Sequence, residues 1–550
     1  MFRLFPRRAL QSVLSSARLR TSLSVAPSAL RHLTSESGRS PPHNPHEGDI
    51  KDRIVLKATK SIDTTAIEKY WQDVMRTDKD PDYTFDLKAA HLGSCDEIAI
   101  VSKRLLEGAI AGGDSSFSRM KTFECADFYN KLDQEARKVF LSVLAKEYGP
   151  NHATVLKASE SLQAAAEKGG DKSLVKLEAK LRDALEPPYL KFFMQLYHHP
   201  GGMRFLLKIR EDLIAIVSKN SQDTNLKDMN DRLKDKVQGW FGIAFLDLER
   251  ITWTSPAAIL EKLIKYEAVH AIPSWDALKE RLLPGRACFA FFHKGMPLEP
   301  LAFVHVSFEN DIQRNVQTII QNPPAMHPED ASVAIFYTIS SPQKGLSGID
   351  LGNFLIKRVV KEIQARYPNI QTFTTLSPIP GFRNWLEMQL NLPTANSLLL
   401  VEEQRMLATP GMDAISVLKN LLEDDKWIQN SLETVRIILT RLCSRYILLE
   451  KKRSFALDPV ANFHIRNGAC VYQLNWMGDT SEKGIAQSYG IMINYLYDLE
   501  KIEENNDLYV RDGMITVFET AEDAGLRWAV AQPRGSEKVR VVGRNERARL

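Results

Sequence analysis

The sequence predicts an α+β chain, with an N-terminal all-α helical bundle domain over residues 54–233 and a mixed α/β catalytic domain over 234–530. Three observations predict it. From about Ile54 to Leu233 apolar residues recur at three- and four-residue spacing with hardly any alternating β-branched run, which is the period of an amphipathic helix. Beyond Trp240 the texture changes to short runs rich in Val, Ile, Phe and Thr, the composition of half-buried or buried strands. A helical segment, Phe354 to Tyr367, then stands between two of those runs, the order expected of a mixed sheet with a crossover. The 550 residues leave room for several such units, and 44% hydrophobic with 25% charged residues is an ordinary globular composition.

The chain starts with an address. Residues 1–40 carry seven Arg, nine Ser, no Lys and a single acid, Glu36. Arg8, Val13, Leu14 and Leu19 fit a helix with one apolar and one cationic face, and this is the composition of a mitochondrial presequence, with a disordered basic tail as the alternative. The stretch from Ser40 to Asp49, rich in Pro and polar residues, makes 41–53 a flexible linker. At the other end, 531–550 is expected to be an unstructured basic tail from Pro533 onward. It closes on Ala548, Arg549 and Leu550, a variant of the peroxisomal Ser-Lys-Leu signal. The matrix is the primary expectation, with peroxisome and cytoplasm behind it.

Within the helical part, Leu174, Leu177, Leu181 and Leu185 form one stripe that Pro187 and Pro188 close. Such stripes are core, and no chemistry is assigned to this half. In the second half, Ala287 to Phe292 and Leu301 to Phe308 read as two strands joined by a turn. Val333 to Ile339, Gln371 to Leu376 and Ala469 to Leu474 follow as the third, fourth and fifth.

Several function classes are excluded or unsupported. No apolar run is long enough for a membrane span. With the leader removed, the remaining 65 basic and 67 acidic residues give a near-neutral body, without the concentrated positive field that nucleic acid requires. The five cysteines (Cys95, Cys125, Cys288, Cys443, Cys470) stand at least 27 residues apart and no His-Glu-x-x-His occurs, so nothing argues for a disulfide framework or a metal site.

Three loops carry the chemical signals. Between the third strand and the following helix lies Ser340-Ser-Pro-Gln-Lys-Gly-Leu-Ser-Gly-Ile-Asp-Leu-Gly352. Gly345, Gly348 and Gly352 allow close backbone approach there, and a helix N-terminus behind a glycine-rich loop suits a pyrophosphate. It is neither a Walker loop nor a dinucleotide fingerprint, because the required residues and spacing are absent. In Leu376-Ser-Pro-Ile-Pro-Gly-Phe382, Pro378 restricts Ser377 to extended backbone and Pro380-Gly381 turns sharply, holding the Ser377 hydroxyl at a strand end. Leu457-Asp-Pro-Val-Ala-Asn-Phe-His464-Ile-Arg-Asn-Gly468 reads as a polar loop that puts His464 ahead of the fifth strand. Taken singly, a loop Ser and a loop His are structural by default.

Together with Gly201-Gly-Met-Arg-Phe-Leu206, Ile251-Thr-Trp-Thr-Ser-Pro256, Tyr266-Glu-Ala-Val-His-Ala-Ile-Pro273, Arg286 to Phe308, Phe354 to Lys361 and Asn475-Trp-Met, these stretches resemble the malonyl-CoA decarboxylase family over roughly Ile54 to Tyr497. The resemblance implies a catalytic domain of the GNAT acyltransferase type behind a helical domain. It implies that malonyl-CoA is decarboxylated to acetyl-CoA and CO2 through a thioester enolate. It places substrate binding on Ser347, Gly348, Ile349, Asp350, Leu351, Gly352 and Asn353, and catalysis on Ser377 as hydroxyl partner and His464 as proton donor, both also touching substrate. Asp350 occupies an acidic position of the family and is expected to orient the pair. No metal and no separate cofactor is implied, because coenzyme A belongs to the substrate and the thioester is the electron sink. Homo-oligomers, as tetramers built through the helical domain, are implied as well. Competing classes are an acyl-CoA-dependent acyltransferase and a non-catalytic acyl-CoA-binding protein. A serine hydrolase is disfavoured, since Gly-x-Ser-x-Gly is absent and Pro378 removes the backbone N–H that a nucleophile elbow uses.

Overall fold

The computed structural model describes residues 94–543, apart from short stretches at 112–115, 169–170, 220–221, 322–326, 424–427, 429–432, 519–523 and 533–537. The presequence, the linker, residues 54–93 of the helical part and the C-terminal Ala548-Arg549-Leu550 lie outside the described residues.

The first part is helical throughout. Helices Cys95–Ala111, Ser116–Lys131, Gln134–Glu147, Tyr189–Tyr197, Gly202–Lys219 and Thr224–Trp240 pack around Leu106, Phe128, Phe140, Leu144, Phe193, Leu213 and Leu233. Side-chain caps start several of them: Asp133 accepts from the Ala136 amide at 2.8 Å and Asp223 from the Leu226 amide at 3.2 Å, satisfying donors that a helix start leaves unpaired. The leucine stripe expected to be core lies on Asp171–Leu185, where Leu174, Leu177 and Leu181 are only half-buried and Leu185 is exposed, because that helix pairs with His152–Glu167, a helix with no buried residue. The last helix runs to Trp240, past the boundary expected at 233. Its apolar stripe of Leu226, Met229, Leu233 and Val237 continues across that point, and the helix ends where the stripe does.

The second part is built on a ten-stranded mixed sheet. Its strands are β1 (Leu246–Ile251), β2 (Arg286–His293), β3 (Ala302–Glu309), β4 (Val333–Ser340), β5 (Thr372–Thr375), β6 (Ser377–Pro378), β9 (Cys470–Asn475), β10 (Met492–Tyr497), β11 (Ile515–Phe518) and β12 (Val539–Val542), while β7 (Lys451–Lys452) and β8 (Phe455–Ala456) form a separate hairpin. The order is β1-β2-β3-β4-β5-β10-β9-β11-β12, with β6 on β10. β1 to β4 are antiparallel neighbours, β4 and β5 are parallel, and the helix Leu351–Arg366 makes their crossover. One apolar cluster runs from the bundle through Val304, Phe336 and Leu355 to Val517. The helical part and the sheet therefore share a core.

All five expected strands are present, and the α+β architecture is as read from the sequence. Three expectations are corrected. β1, β10, β11 and β12 were not anticipated, and β12 lies inside the tail expected to be unstructured from Pro533. It persists because it gains a full parallel ladder on β11, from Ile515 with Val539 to Phe518 with Val542. The polar loop before β9 is instead the helix Pro459–Arg466. Asp458 caps it and Pro459 sits in its first turn, where the missing N–H costs nothing.

The sheet opens at its centre. β4 pairs with β5 from Val333 to Phe336 only, whereas its last residues pair with β3 alone. The register against β3 steps from Val306–Phe336 to His305–Thr338, leaving Tyr337 as a bulge residue, and bulges bend a strand. β5 is carried into β6, which pairs with β10 through Ser377–Ile493 and Pro378–Met492. The two strands thus part beyond Phe336, giving the splay expected of a GNAT-type sheet.

Candidate active site

The mouth of this splay is a cleft of about 580 Å3 lined by Tyr337 to Ile339, Leu346 to Gly352, Ser377, Pro378, Asn462 to His464 and Arg466. Ser347 to Gly352 form one wall; Asn353, next in the chain, is half-buried in the first turn of the helix behind it. Gly348 takes φ +76°, a conformation that glycine adopts without strain. Gly352 is required by proximity, since a Cβ there would lie 2.8 Å from the Phe463 ring. The first-turn amides of Gly352 and Asn353 are among the donors that a helix start leaves unpaired.

Ser377 and His464 meet in the same cleft. Ser377 is set by β6 and the turn at Pro380-Gly381, with the next helix starting at Phe382. His464 occupies the last turn of the Asp458-capped helix, which Gly468 ends at φ +81°. Asp458 also receives the Tyr446 hydroxyl at 3.4 Å, tying that helix to the helix Glu433–Leu448. Across 87 residues of chain, Ser377 Oγ lies 3.1 Å from His464 Nε2.

Two further side chains complete a line of hydrogen bonds. The Tyr497 hydroxyl, at the end of β10, lies 2.8 Å from His464 Nδ1, and Ser377 Oγ lies 2.9 Å from Thr375 Oγ1. Thr375 Oγ1 also accepts from the Tyr495 amide at 3.1 Å, and the Tyr495 ring stacks on the imidazole with centroids 4.7 Å apart. With Tyr497 donating to Nδ1, the imidazole carries its proton on Nε2 and donates it to Ser377, which donates in turn to Thr375. The reverse order would make Ser377 a donor to Nε2, as a nucleophile requires. That order leaves the buried Tyr497 proton without an acceptor, so we adopt the first as the resting arrangement.

Burial sets the charge state of the pair. His464 is 3% and Ser377 5% exposed, and burial pulls the imidazole down to about 3 from its usual value near 6.5, so it is neutral in this environment. Burial also raises the Tyr497 hydroxyl far above its ordinary range, keeping it a protonated donor. Asp458 is raised to about 6, with burial as the main cause.

Sequence reasoning placed Ser377, His464 and the residue 347–353 loop in one site, and they line or adjoin one cleft. It did not anticipate Tyr497 or Thr375. Tyr497 lies on β10, a strand that the sequence reading missed, and the register of that strand on β6 is what brings it to His464. Asp350 does not orient the pair: it is exposed at the helix start and among the described residues bonds to neither Ser377 nor His464. No group of three or more His, Cys, Asp or Glu suited to a metal occurs among the described residues.

Residues 244–532 match the model of the malonyl-CoA decarboxylase C-terminal domain, and residues 148–241 that of the N-terminal domain. The chain belongs to the malonyl-CoA decarboxylase family. Similar relatives include the mitochondrial malonyl-CoA decarboxylase of Anser anser anser, 39% identical over 403 residues covering 71% of this chain and 80% of that protein. The Mus musculus protein of the same name is 39% identical over 70% of this chain and 82% of its own. Among solved structures, malonyl-CoA decarboxylase from Rhodopseudomonas palustris superposes with TM-score 0.67 at 35% identity, covering 79% of this chain and 99% of that one. The Agrobacterium vitis family member gives TM-score 0.68 at 32% identity over 78% and 99%.

Proposed function

We propose that the chain decarboxylates malonyl-CoA to acetyl-CoA and CO2, with coenzyme A lying in the β4–β5 splay and its acyl end at Ser377 and His464. The observation that carries this reading is the Ser377–His464 contact in the same cleft as the glycine-rich loop. The bond between the α-carbon and the carboxylate breaks, its electron pair moves into the thioester carbonyl as an enolate, CO2 departs, and the α-carbon takes a proton. The site must therefore supply donors to a developing oxyanion and an acid to a carbon.

His464 is assigned as the proton donor through Nε2, backed by Tyr497 on Nδ1. The negative charge that arrives with the malonyl group raises the imidazole's proton affinity from the low value that burial gives it. Ser377 donates to the carboxylate or to the thioester oxygen once substrate displaces its bond to Thr375. Ser347 to Asn353 bind the coenzyme, with the Gly348, Gly352 and Asn353 amides supplying donors to its pyrophosphate. The thioester carbonyl is the electron sink, so the reaction needs neither a metal nor a cofactor beyond the substrate's own coenzyme A.

The arginine-rich leader and the mitochondrial relatives support a matrix location; a peroxisomal and a cytoplasmic pool are assigned to the Ala548-Arg549-Leu550 terminus and to unimported chain. The exposed helical hairpin His152–Leu185 supports a homo-oligomer, a tetramer by the family resemblance. The deciding experiment is release of labelled CO2 from malonyl-CoA carrying label in its free carboxylate. Stoichiometric CO2 and acetyl-CoA are expected. Transfer of the acyl group to an amine without CO2, or tight binding without turnover, would refute the reading.

A further inference from the structure

The cleft loop is held from the helical part of the chain. One face of the helix Gly202–Lys219 presents Arg204, Leu207 and Arg210, three residues apart, to the segment 343–348. The Leu207 carbonyl sits where any side chain on Gly345 would have to go. Arg204 Nη2 donates at 3.2 Å to Glu299 Oε2, and Glu299 Oε1 accepts from Gln343 Nε2 at 2.8 Å. Arg210 makes the direct grip, with Nη1 donating to the Gly345 carbonyl and Nη2 to the Ser347 carbonyl at 2.6 Å.

Two consequences follow from that grip. A trans peptide points its C=O and N–H in opposite directions, and no cis bond occurs among the described residues. Fixing the Ser347 carbonyl on Arg210 therefore turns the Gly348 N–H the other way, away from the bundle at a residue that lines the cleft. The second consequence is electrostatic. Arg210 is only 2% exposed, its Nε has no partner, and among the described residues no carboxylate hydrogen-bonds to it, Asp231 acting on its charge only from beyond contact. A buried cation without a contacting counter-ion is costly. The Lys234 ammonium, from the next helix, also approaches this loop, 3.4 Å from the place of a Gly348 Cβ.

We propose that Arg210 is a positioning residue for the coenzyme's phosphates: it aims the Gly348 amide into the cleft and keeps a positive charge with no contacting carboxylate behind the loop, so the helical part completes the anion site of the sheet domain. The inference rests on the decarboxylase reading and adds a residue to its substrate site. The test compares the full-length protein with Arg210→Gln and Arg210→Lys on two substrates, malonyl-CoA and malonyl-pantetheine, which share the thioester and carboxylate but differ in the phosphates. Because both reactions draw on the same folded population, the ratio of their kcat/KM values is insensitive to partial unfolding.

Arg210→Gln should lower that ratio at least about tenfold, the scale of losing a hydrogen-bonded charge, through KM for malonyl-CoA and not through kcat. Arg210→Lys keeps the charge but not the forked grip and should fall between. If Arg210→Gln does not fold, the Arg210→Lys ratio decides alone. An unchanged ratio, or equal losses on both substrates, overturns the proposal. Should the unmodified protein release no CO2 from either substrate, the decarboxylase reading fails instead; coenzyme A affinity by calorimetry, weakened about tenfold or unaltered in the variants, then decides the role of Arg210 by itself.

Discussion

Replacing Tyr497 by Phe removes one oxygen and keeps the ring, whose edge-on packing against the imidazole has centroids 6.1 Å apart. The lost interaction is the 2.8 Å bond to His464 Nδ1 between two buried side chains. Leaving a buried acceptor such as Nδ1 unpaired costs about 1–3 kcal/mol, and the middle of that range, about 1.5–2 kcal/mol, corresponds at about 1.4 kcal/mol per decade to about a ten- to thirtyfold fall in kcat. Nδ1 must then hold the proton or stay unpaired, and a proton on Nδ1 leaves Nε2 without the one that the α-carbon needs. The assay is labelled CO2 release at saturating malonyl-CoA, run as a double-mutant cycle with His464→Ala. Tyr497 acts through His464, so Tyr497→Phe should cost less than about threefold once the imidazole is gone. Equal losses in both backgrounds would refute the relay and give Tyr497 an independent role.

His464→Ala and Ser377→Ala should each lower kcat by at least about ten- to a hundredfold, the range for a positioned proton-transfer group, with circular dichroism confirming the fold; near-normal rates in both would move the chemistry elsewhere. EDTA should leave turnover unchanged, and restoration by added divalent metal after chelation would contradict the enolate scheme. Gly352→Ala drives a methyl into the Phe463 ring beside His464, and an overpacking cost of about 1–3 kcal/mol should appear as a lower Tm together with reduced kcat. His464 is held at about 3 in the native state and titrates near 6.5 when unfolded. Between those values the unfolded chain binds the extra proton, so stability is lost as pH falls from about 6.5 toward 3. Urea midpoints at pH 7 and pH 5 should therefore separate more for the unmodified protein than for His464→Gln, and parallel shifts would show that His464 is not buried as described.

Local signals in the chain were sufficient for much of this. Pro378 and Pro380-Gly381 define the turn at Ser377 without tertiary help, because proline and glycine act on their own backbone angles. Asp458-Pro459 is an N-cap followed by a first-turn proline, a helix start that went unread because the surrounding polar residues suggested a loop. β12 was illegible. Four residues between Lys538 and Gly543 have no strand identity until the edge of β11 offers them a ladder.

By itself, then, the sequence determined the two-part α+β organisation, the glycine-rich anion loop, the rigid Ser377 turn and the family to which its motifs are similar. Periodicity, capping and turn chemistry act over fewer than about ten residues and survive without a fold. Only the tertiary structure decided that Tyr497 stands behind His464, that Thr375 and not Asp350 holds Ser377, and that Arg210 grips a loop 137 residues away from it. Those contacts depend on the register of β6 and β10 and on the docking of one helix against the sheet. A slip of one residue in a strand would turn Thr375, Ser377 or Tyr497 to the opposite face.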